Sequence, residues 1–238
     1  MATRFSFLGV ILGMAIAACT PAPTPISSPA PEVSPSPVEP DAVTTLPAQD
    51  VPPGTPSWAE ILGETSAPEG WQVRLCEPGF FLCVDSNGEQ VGVIELLAYP
   101  LSPETQETLL PNAPDSLDNL STAETNALLQ AFVENHYAAI TNDRQSLGEG
   151  LTVQTDEPTV ISFGNLPGLR YGFTTTSAEG QVIERSLGYV TFNESMVYVI
   201  ATIAPESDGG ISFKTDELLE QFEPHLTELV ANLQLGNS

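Results

Sequence analysis

Residues 169–203 read LRYGFTTTSAEGQVIERSLGYVTFNESMVYVIATI, and this segment gives the clearest indication of the fold. It contains three runs rich in β-branched and aromatic residues, at 169–176, 182–192 and 196–203. Short polar turns at 178–180 and 193–195 separate these runs. Strand-like runs joined by tight connections predict an antiparallel meander.

Further strands are predicted from the same pattern upstream of the meander. They cover residues 71–76, 80–84, 91–99, 151–154 and 159–163. Asn87-Gly88 is the strongest hairpin signal in the chain, and Pro78-Gly79 marks a turn before it. The four prolines at 100, 103, 111 and 114 predict a polar loop after the third strand.

Two helices complete the predicted domain. Ser121-Thr-Ala-Glu124 predicts a capping box, followed by a helix to about residue 143. A final helix is predicted over 215–233, and Pro224 inside it should kink or restart it at a cost of roughly 3 kcal/mol. The resulting order predicts an α+β domain with an antiparallel sheet packed with two main helices. The apolar face of the first helix comprises Leu128, Leu129, Phe132, Val133, His136, Ala139 and Ile140.

The first 19 residues are typical of an export signal. Arg4 precedes the apolar stretch 5–16, which is too short for a permanent membrane span. Ile16-Ala17-Ala18-Cys19 resembles the lipobox of bacterial lipoproteins. That resemblance implies removal of residues 1–18 and acylation of Cys19, for example with palmitate, and two or more chains anchor a protein stably. The alternative is an ordinary cleaved signal ending near Ala18, with Cys19 incidental.

The segment after Cys19 has the composition of a spacer. Residues 20–56 hold 12 of the 22 prolines and no Lys or Arg. Such a segment buries too little apolar surface to fold, so we expect a disordered linker over 19–56 with polyproline II character. Fully extended, it would reach on the order of 100 Å from the membrane. Residues 57–238 remain as one globular domain.

The charge balance excludes one class of function. The chain carries 31 acidic and 6 basic side chains, for a net charge of -25. Residues 57–238 alone carry 27 acidic and 5 basic side chains, a net of -22. Nucleic-acid binding is excluded because it requires clustered Lys and Arg. Repulsion from anionic headgroups should also hold the domain away from the membrane surface.

Cys76 and Cys83 form an even pair in an exported protein, which favours a disulfide. Their pairing depends on the turn between them. A turn centred on Gly79-Phe80 places the two cysteines directly opposite each other. A turn centred on Pro78-Gly79 places Cys76 opposite Phe81, with the pair out of register. Two buried thiols are the alternative.

The sequence contains no recognisable nucleophile–base pair, and no cofactor or metal is expected. His136 lies on the apolar stripe of its helix and His225 follows Pro224, so both are interpreted as structural residues. The acidic stretches 85–89 and 206–210 are read as tight turns rather than calcium loops.

Arg170, Tyr171 and Arg185 form the candidate partner patch. Arg170 and Arg185 are predicted on neighbouring strands and could bracket one area of the sheet. A contact with a partner or an anion is one interpretation. A satisfied surface salt bridge is the simpler one.

The order of elements resembles the PsbP-like fold. The residues that carry the resemblance are Trp71, Gly168-Leu-Arg-Tyr171, Gly188-Tyr-Val190, Met196-Val-Tyr-Val-Ile200 and the closing Phe/Leu helix. The resemblance implies an α/β/α sandwich and a cyanobacterial lipoprotein facing the periplasm or the thylakoid lumen. Proteins of this family are accessory or assembly factors of membrane complexes, photosynthetic ones included.

We therefore expect a membrane-anchored, extracytoplasmic, non-catalytic accessory protein. The alternative is a periplasmic enzyme or small-ligand-binding protein whose site is assembled only by folding. A deep pocket lined by His136 or His225 with converging carboxylates would favour that alternative.

Overall fold

The computed structural model describes residues 56–76, 79, 81–114, 116–147, 150–205 and 213–235. The predicted signal peptide, Cys19 and all but the last residue of the linker lie outside the described residues. Within the domain the elements follow in chain order. They are α1 (Trp58–Ile61), β1 (Trp71–Leu75), β2 (Phe81–Ser86), β3 (Glu89–Pro100), α2 (Pro103–Leu109), α3 (Thr122–Leu147), β4 (Thr152–Thr155), β5 (Thr159–Phe163), β6 (Leu166–Thr176), β7 (Val182–Phe192), β8 (Met196–Pro205) and α4 (Asp216–Ala231).

The strands form one antiparallel sheet in the order β1-β2-β3-β8-β7-β6-β4, with β5 also paired to β6. β4 and β5 therefore lie end to end along the same side of β6. The predicted meander is confirmed as β6, β7 and β8 at the centre of the sheet. The predicted α+β class with an antiparallel sheet is thus confirmed.

One helix packs on each face of the sheet, because alternate residues of every strand point to opposite sides. Leu219, Phe222 and Leu226 of α4 are fully buried in one core. Leu129 and Val133 of α3 are fully buried in the other, against Tyr171 of β6. The result is a three-layer sandwich with a filled interface on either side of the central strands.

Local signals in the sequence fix two element boundaries as predicted. Ser121 and Glu124 form the predicted capping box: Ser121 N donates to Glu124 Oε2 at 2.8 Å, and Glu124 N donates to Ser121 Oγ at 3.3 Å. Asn87 and Gly88 adopt φ values of 54° and 83° in the β2–β3 hairpin. These are the positive angles that a two-residue turn of this type requires.

The predicted loop after β3 is wrong in part, because it contains the helix α2. Ser102 caps this helix by accepting from Thr105 N at 3.1 Å. Pro103 occupies the first helical position, where a missing N–H costs nothing. Pro103, one of the four prolines from which a loop was predicted, is therefore the first residue of a helix.

The predicted restart at Pro224 is also wrong, since α4 continues from Asp216 to Ala231. Pro224 removes the hydrogen bond to the carbonyl of Glu220, and both residues are exposed, so water can satisfy that carbonyl. Phe222 and Leu226 on either side are fully buried. The burial of this face of α4 outweighs the loss of one backbone hydrogen bond at Pro224.

Candidate functional site

The predicted partner patch divides between the two faces of the sheet. Arg170 pairs in register with Tyr189, and Arg185 with Thr174, so both arginines point towards α4. Tyr171 points the other way and is buried under α3. The structure therefore brings Arg170 and Arg185 together and separates Tyr171 from them.

The two arginines converge on carboxylates of α4. Arg170 forms an ion pair with Glu223. Arg185 Nη1 lies 2.7 Å from Glu220 Oε1 and 3.1 Å from Asp216 Oδ1, and its Nη2 lies 3.6 Å from Glu223 Oε2. Glu223 is shared by both guanidinium groups. Ion pairing thus gives these arginines a role in attaching α4 to the sheet.

Every basic side chain of the described domain has a carboxylate partner. Because acidic side chains greatly outnumber basic ones, this pairing leaves a surface with a large uncompensated negative charge. The pairs are Arg74–Asp85, Arg144–Glu184, Arg170–Glu223, Arg185–Glu220 and Lys214–Glu89. No cationic group among the described residues is therefore left over to attract an anion.

His136 is a residue of α3, and its ring lies between aromatic rings. Its ring stacks on Phe132 with centroids 6.0 Å apart and meets the edge of Tyr171 at 5.5 Å. Burial lowers the pKa of His136 from 6.5 to about 4, because the apolar surroundings disfavour the charged ring. The packing is that of a structural histidine, as the sequence predicted.

Acidification is expected to destabilise the fold through His136. The pKa of about 4 in the folded state lies below the value of 6.5 expected in the unfolded state, so unfolding takes up a proton. This contribution is complete above about pH 6.5 and is lost as the pH falls towards about 4. Between about pH 7 and about pH 5 the free energy of unfolding should drop by on the order of 2 kcal/mol.

Urea unfolding of the wild type and His136→Leu at both pH values measures this contribution. The variant should lose less stability than the wild type over that interval. An identical loss in the two proteins would show that His136 does not titrate on unfolding.

His225 belongs to a small polar cluster between α4 and the segment before β1. Ser66 Oγ lies 3.0 Å from His225 Nδ1 and donates to Glu228 Oε2. Because a hydroxyl has one proton, Ser66 accepts from His225 Nδ1–H while it donates to Glu228. Glu228 therefore accepts a hydrogen bond from Ser66 and not from His225. In a catalytic triad the carboxylate binds the histidine instead, so this arrangement is not that of a serine nucleophile. The cluster ties the segment containing Ser66 to α4.

Cys76 and Cys83 are joined by a disulfide, with Cα atoms 5.5 Å apart. The register is the second of the two predicted alternatives, because Leu75 pairs with Leu82 and Cys76 N donates to Phe81 O at 3.0 Å. The expectation that this register separates the sulfur atoms is wrong. Cys83 lies two residues beyond Phe81 on the same face, and the Cα atoms of this diagonal pair are 5.5 Å apart, close enough to be bridged.

Loss of this disulfide is expected to destabilise the domain. The cysteines are 7 residues apart, and a loop of that size corresponds to roughly 2.5 kcal/mol in the chain-entropy relation. Urea unfolding of the oxidised protein and of Cys76→Ser/Cys83→Ser measures the difference. Mass spectrometry before and after alkylation verifies the oxidation state. Equal unfolding midpoints would contradict the expected contribution.

Two carboxylates of the acidic turn 85–89 are paired with basic side chains of the protein. Asp85 Oδ2 accepts from Arg74 Nε at 2.6 Å, and Glu89 Oε1 from Lys214 Nζ at 2.5 Å. The carboxylates are thus directed at cations of the protein. Among the described residues no three His, Cys, Asp or Glu side chains are placed to hold a metal ion. The second candidate loop, 206–210, lies outside the described residues.

Sequence reasoning missed a groove at one end of the sandwich. It has a volume of about 290 Å³, and apolar residues including Leu120, Pro167 and Phe192 line it. Asn165, Asn193 and other polar residues complete the lining. The groove adjoins β5, because Pro167 pairs in register with Ser162. Its residues come from four separate segments, so no sequence pattern indicates it.

The fold and these contacts define an α+β sandwich with one antiparallel sheet between helices and a strongly acidic surface. No family model matches the sequence, and no curated protein matches it. In the described part of the chain no helix is long and apolar enough to cross a membrane.

Two solved structures are similar to this fold. The solution structure of cyanobacterial PsbP (CyanoP) from Synechocystis sp. PCC 6803 aligns with a TM-score of 0.41 and 9% identity, over 71% of this chain and 84% of that chain. A crystal structure from Bacteroides thetaiotaomicron aligns with a TM-score of 0.36 and 10% identity, over 77% of this chain and 48% of that chain. Both alignments are of low similarity, and no function is transferred from them.

Proposed function

We propose that the protein is a lipid-anchored, extracytoplasmic accessory protein that binds a membrane complex. In this proposal Cys19 is acylated, residues 20–56 are the tether, and the folded domain is the binding module. The domain binds through a surface of opposite charge on its partner, which electrostatic complementarity would select and orient.

The observation that carries the proposal is the charge state of the domain. Residues 57–238 have a net charge of -22, and the described basic side chains already form ion pairs. A basic protein surface therefore gains attraction, whereas an anionic headgroup layer is repelled. The tether would keep the domain near the membrane, while its charge would keep it away from the lipid surface. This arrangement is suited to contact with a neighbouring protein.

A deep pocket lined by His136 or His225 with converging carboxylates would favour the alternative of an enzyme or small-ligand-binding protein. His136 is packed among aromatic rings without a carboxylate partner in the contacts described above. His225 contacts Ser66 at the junction with α4. These contacts favour structural roles, so the binding function is preferred.

Affinity capture from detergent-solubilised membranes tests the proposal. The full-length tagged protein should recover a defined membrane complex from cells that express it naturally. Cys19→Ala should abolish membrane association and reduce recovery, because the tether no longer concentrates the domain beside its partner. Co-migration of the wild type with no membrane complex would contradict the proposed function.

A further inference from the structure

We propose that the free edge of β5 binds an extended basic polypeptide segment as an added antiparallel strand. This inference rests on the proposed function, since it names the chemistry of the partner and the surface that contacts it. It begins from the pairing of β5, which is bonded to β6 on one side and to no other described strand. The opposite side of β5 therefore presents backbone groups for pairing.

Within β5 itself the sequence carries no residue that blocks pairing at a sheet edge, although Pro158 directly precedes it. Thr159–Phe163 reads TVISF, with no charge, proline or glycine within it. Val160 is 60% exposed, the largest exposure of any large hydrophobic side chain described. Natural edge strands usually carry lysine, proline or a bulge to prevent pairing. A run of β-branched residues left open is typical of a strand that accepts another.

Contacts with the core and with α4 also order β5 in the absence of a partner. Ile161 packs against the core under α4, and Phe163 is fully buried in it. Gly164 N donates to Val230 O of α4 at 2.8 Å, which fixes the end of the strand. Because β5 is already ordered on its inner side, binding incurs the ordering cost of the added segment alone.

Charge at the start of β5 indicates the kind of segment that fits. Asp156 and Glu157 are exposed and lie just before the strand, separated from it by Pro158. Neither carboxylate has an ion pair among the contacts of the described residues, whereas Asp85, Glu184 and Glu223 do. A segment with apolar residues facing Val160 and a lysine or arginine near Asp156 would satisfy both features. A second copy of this chain is disfavoured by its net charge.

The geometry limits the length of the segment. Five residues of an antiparallel strand direct about two or three of their N–H and C=O pairs to each side. An added segment of about five or six residues therefore covers the edge. The groove begins beyond Phe163, where Asn165 and Leu166 line it.

A synthetic peptide, acetyl-Lys-Val-Thr-Val-Lys-Val-amide, tests the inference by calorimetric titration into the full mature chain in detergent micelles. The peptide should bind, and Val160→Lys should weaken binding about tenfold or more, because it adds a like charge and blocks the edge. Leu75→Lys is the matched control, since Leu75 is 46% exposed on β1, the edge strand at the opposite end of the sheet. The affinity of Leu75→Lys for the peptide should stay within about twofold of the wild-type value.

Two modified peptides separate backbone pairing from simple charge attraction. N-methylation of all the backbone amide nitrogens between the peptide's ends removes the donors of the added strand and should abolish binding. Replacing both lysines with glutamate should also abolish it. Failure of the unmodified peptide to bind would overturn the inference. Equal binding by the N-methylated peptide, or by Val160→Lys, would overturn it as well.

The outcome is distinguishable from that of the proposed function. If a membrane complex is captured equally well by the wild type and Val160→Lys, binding through β5 is contradicted and the accessory function is supported. If the peptide binds at β5 while no membrane complex is captured, binding through β5 is supported and the accessory function is contradicted.

Discussion

Replacing Gly188 with alanine is expected to lower the free energy of unfolding by about 3 kcal/mol. Gly188 lies opposite Tyr171 in the β6–β7 register. An added Cβ would lie 2.3 Å from Tyr171 Cζ and within 2.7 Å of both Cε atoms. The ring cannot move aside, because His136 and Tyr137 contact it at centroid distances of 5.5 and 5.9 Å. The clash must therefore be relieved by shifting the core or the backbone.

Two controls distinguish this clash from a general effect of replacing glycine. Gly79→Ala places its Cβ 3.6 Å from the nearest heavy atom, Ser57 Cβ, and should change stability by less than about 1 kcal/mol. In a Tyr171→Ala background the ring is gone, so Gly188→Ala should cost much less than in the wild type. Urea unfolding of five proteins measures both: the wild type, Gly188→Ala, Gly79→Ala, Tyr171→Ala and Tyr171→Ala/Gly188→Ala. An undiminished cost in that background would exclude the ring as the cause.

Replacing Arg144 with methionine is expected to destabilise the protein by about 3 kcal/mol or more. Arg144 Nε and Nη2 donate to the two oxygens of Glu184 at 2.7 and 2.8 Å. The two side chains are only 12% and 11% exposed, so the remaining carboxylate would be left buried without its counter-charge. The hydrogen bonds to Glu184 also raise the pKa of Arg144, which keeps the guanidinium charged.

A second substitution should rescue much of this loss. Arg144→Met/Glu184→Leu removes both charges and leaves an apolar pair, which is often nearly neutral in free energy. Arg74→Met provides the matched control, because Arg74 is 51% exposed in its pair with Asp85 and should contribute at most about 1 kcal/mol. A double variant as unstable as the single one would show that desolvation of Glu184 is not the cause.

Much of the fold could be predicted because its signals are local. The alternation of residues in β6, β7 and β8, the Asn87-Gly88 turn and the Ser121 cap each depend on neighbours in sequence. α2 was missed because its four-proline neighbourhood resembles a loop, although Pro103 fits a first helical turn. Pro224 was misread because the packing of α4 is a tertiary effect that propensity does not contain.

The candidate site was less predictable because it depends on which edges and ends the fold leaves open. The free side of β5 follows from β4 and β5 sharing one side of β6, which no strand pattern specifies. The separation of Tyr171 from Arg170 follows from strand alternation and was available in the sequence. The diagonal disulfide required knowledge of the twist between β1 and β2.

Native-gel co-migration at two salt concentrations tests most directly whether the acidic domain binds a membrane complex by opposite charge. Solubilised membranes would be run after equilibration at about 50 mM and about 500 mM salt, where charges are screened over very different distances. We expect the wild-type protein to migrate with a membrane complex at low salt and to be released at high salt. Migration of the protein alone at both concentrations, or a complex unaffected by salt, would contradict this mode of binding.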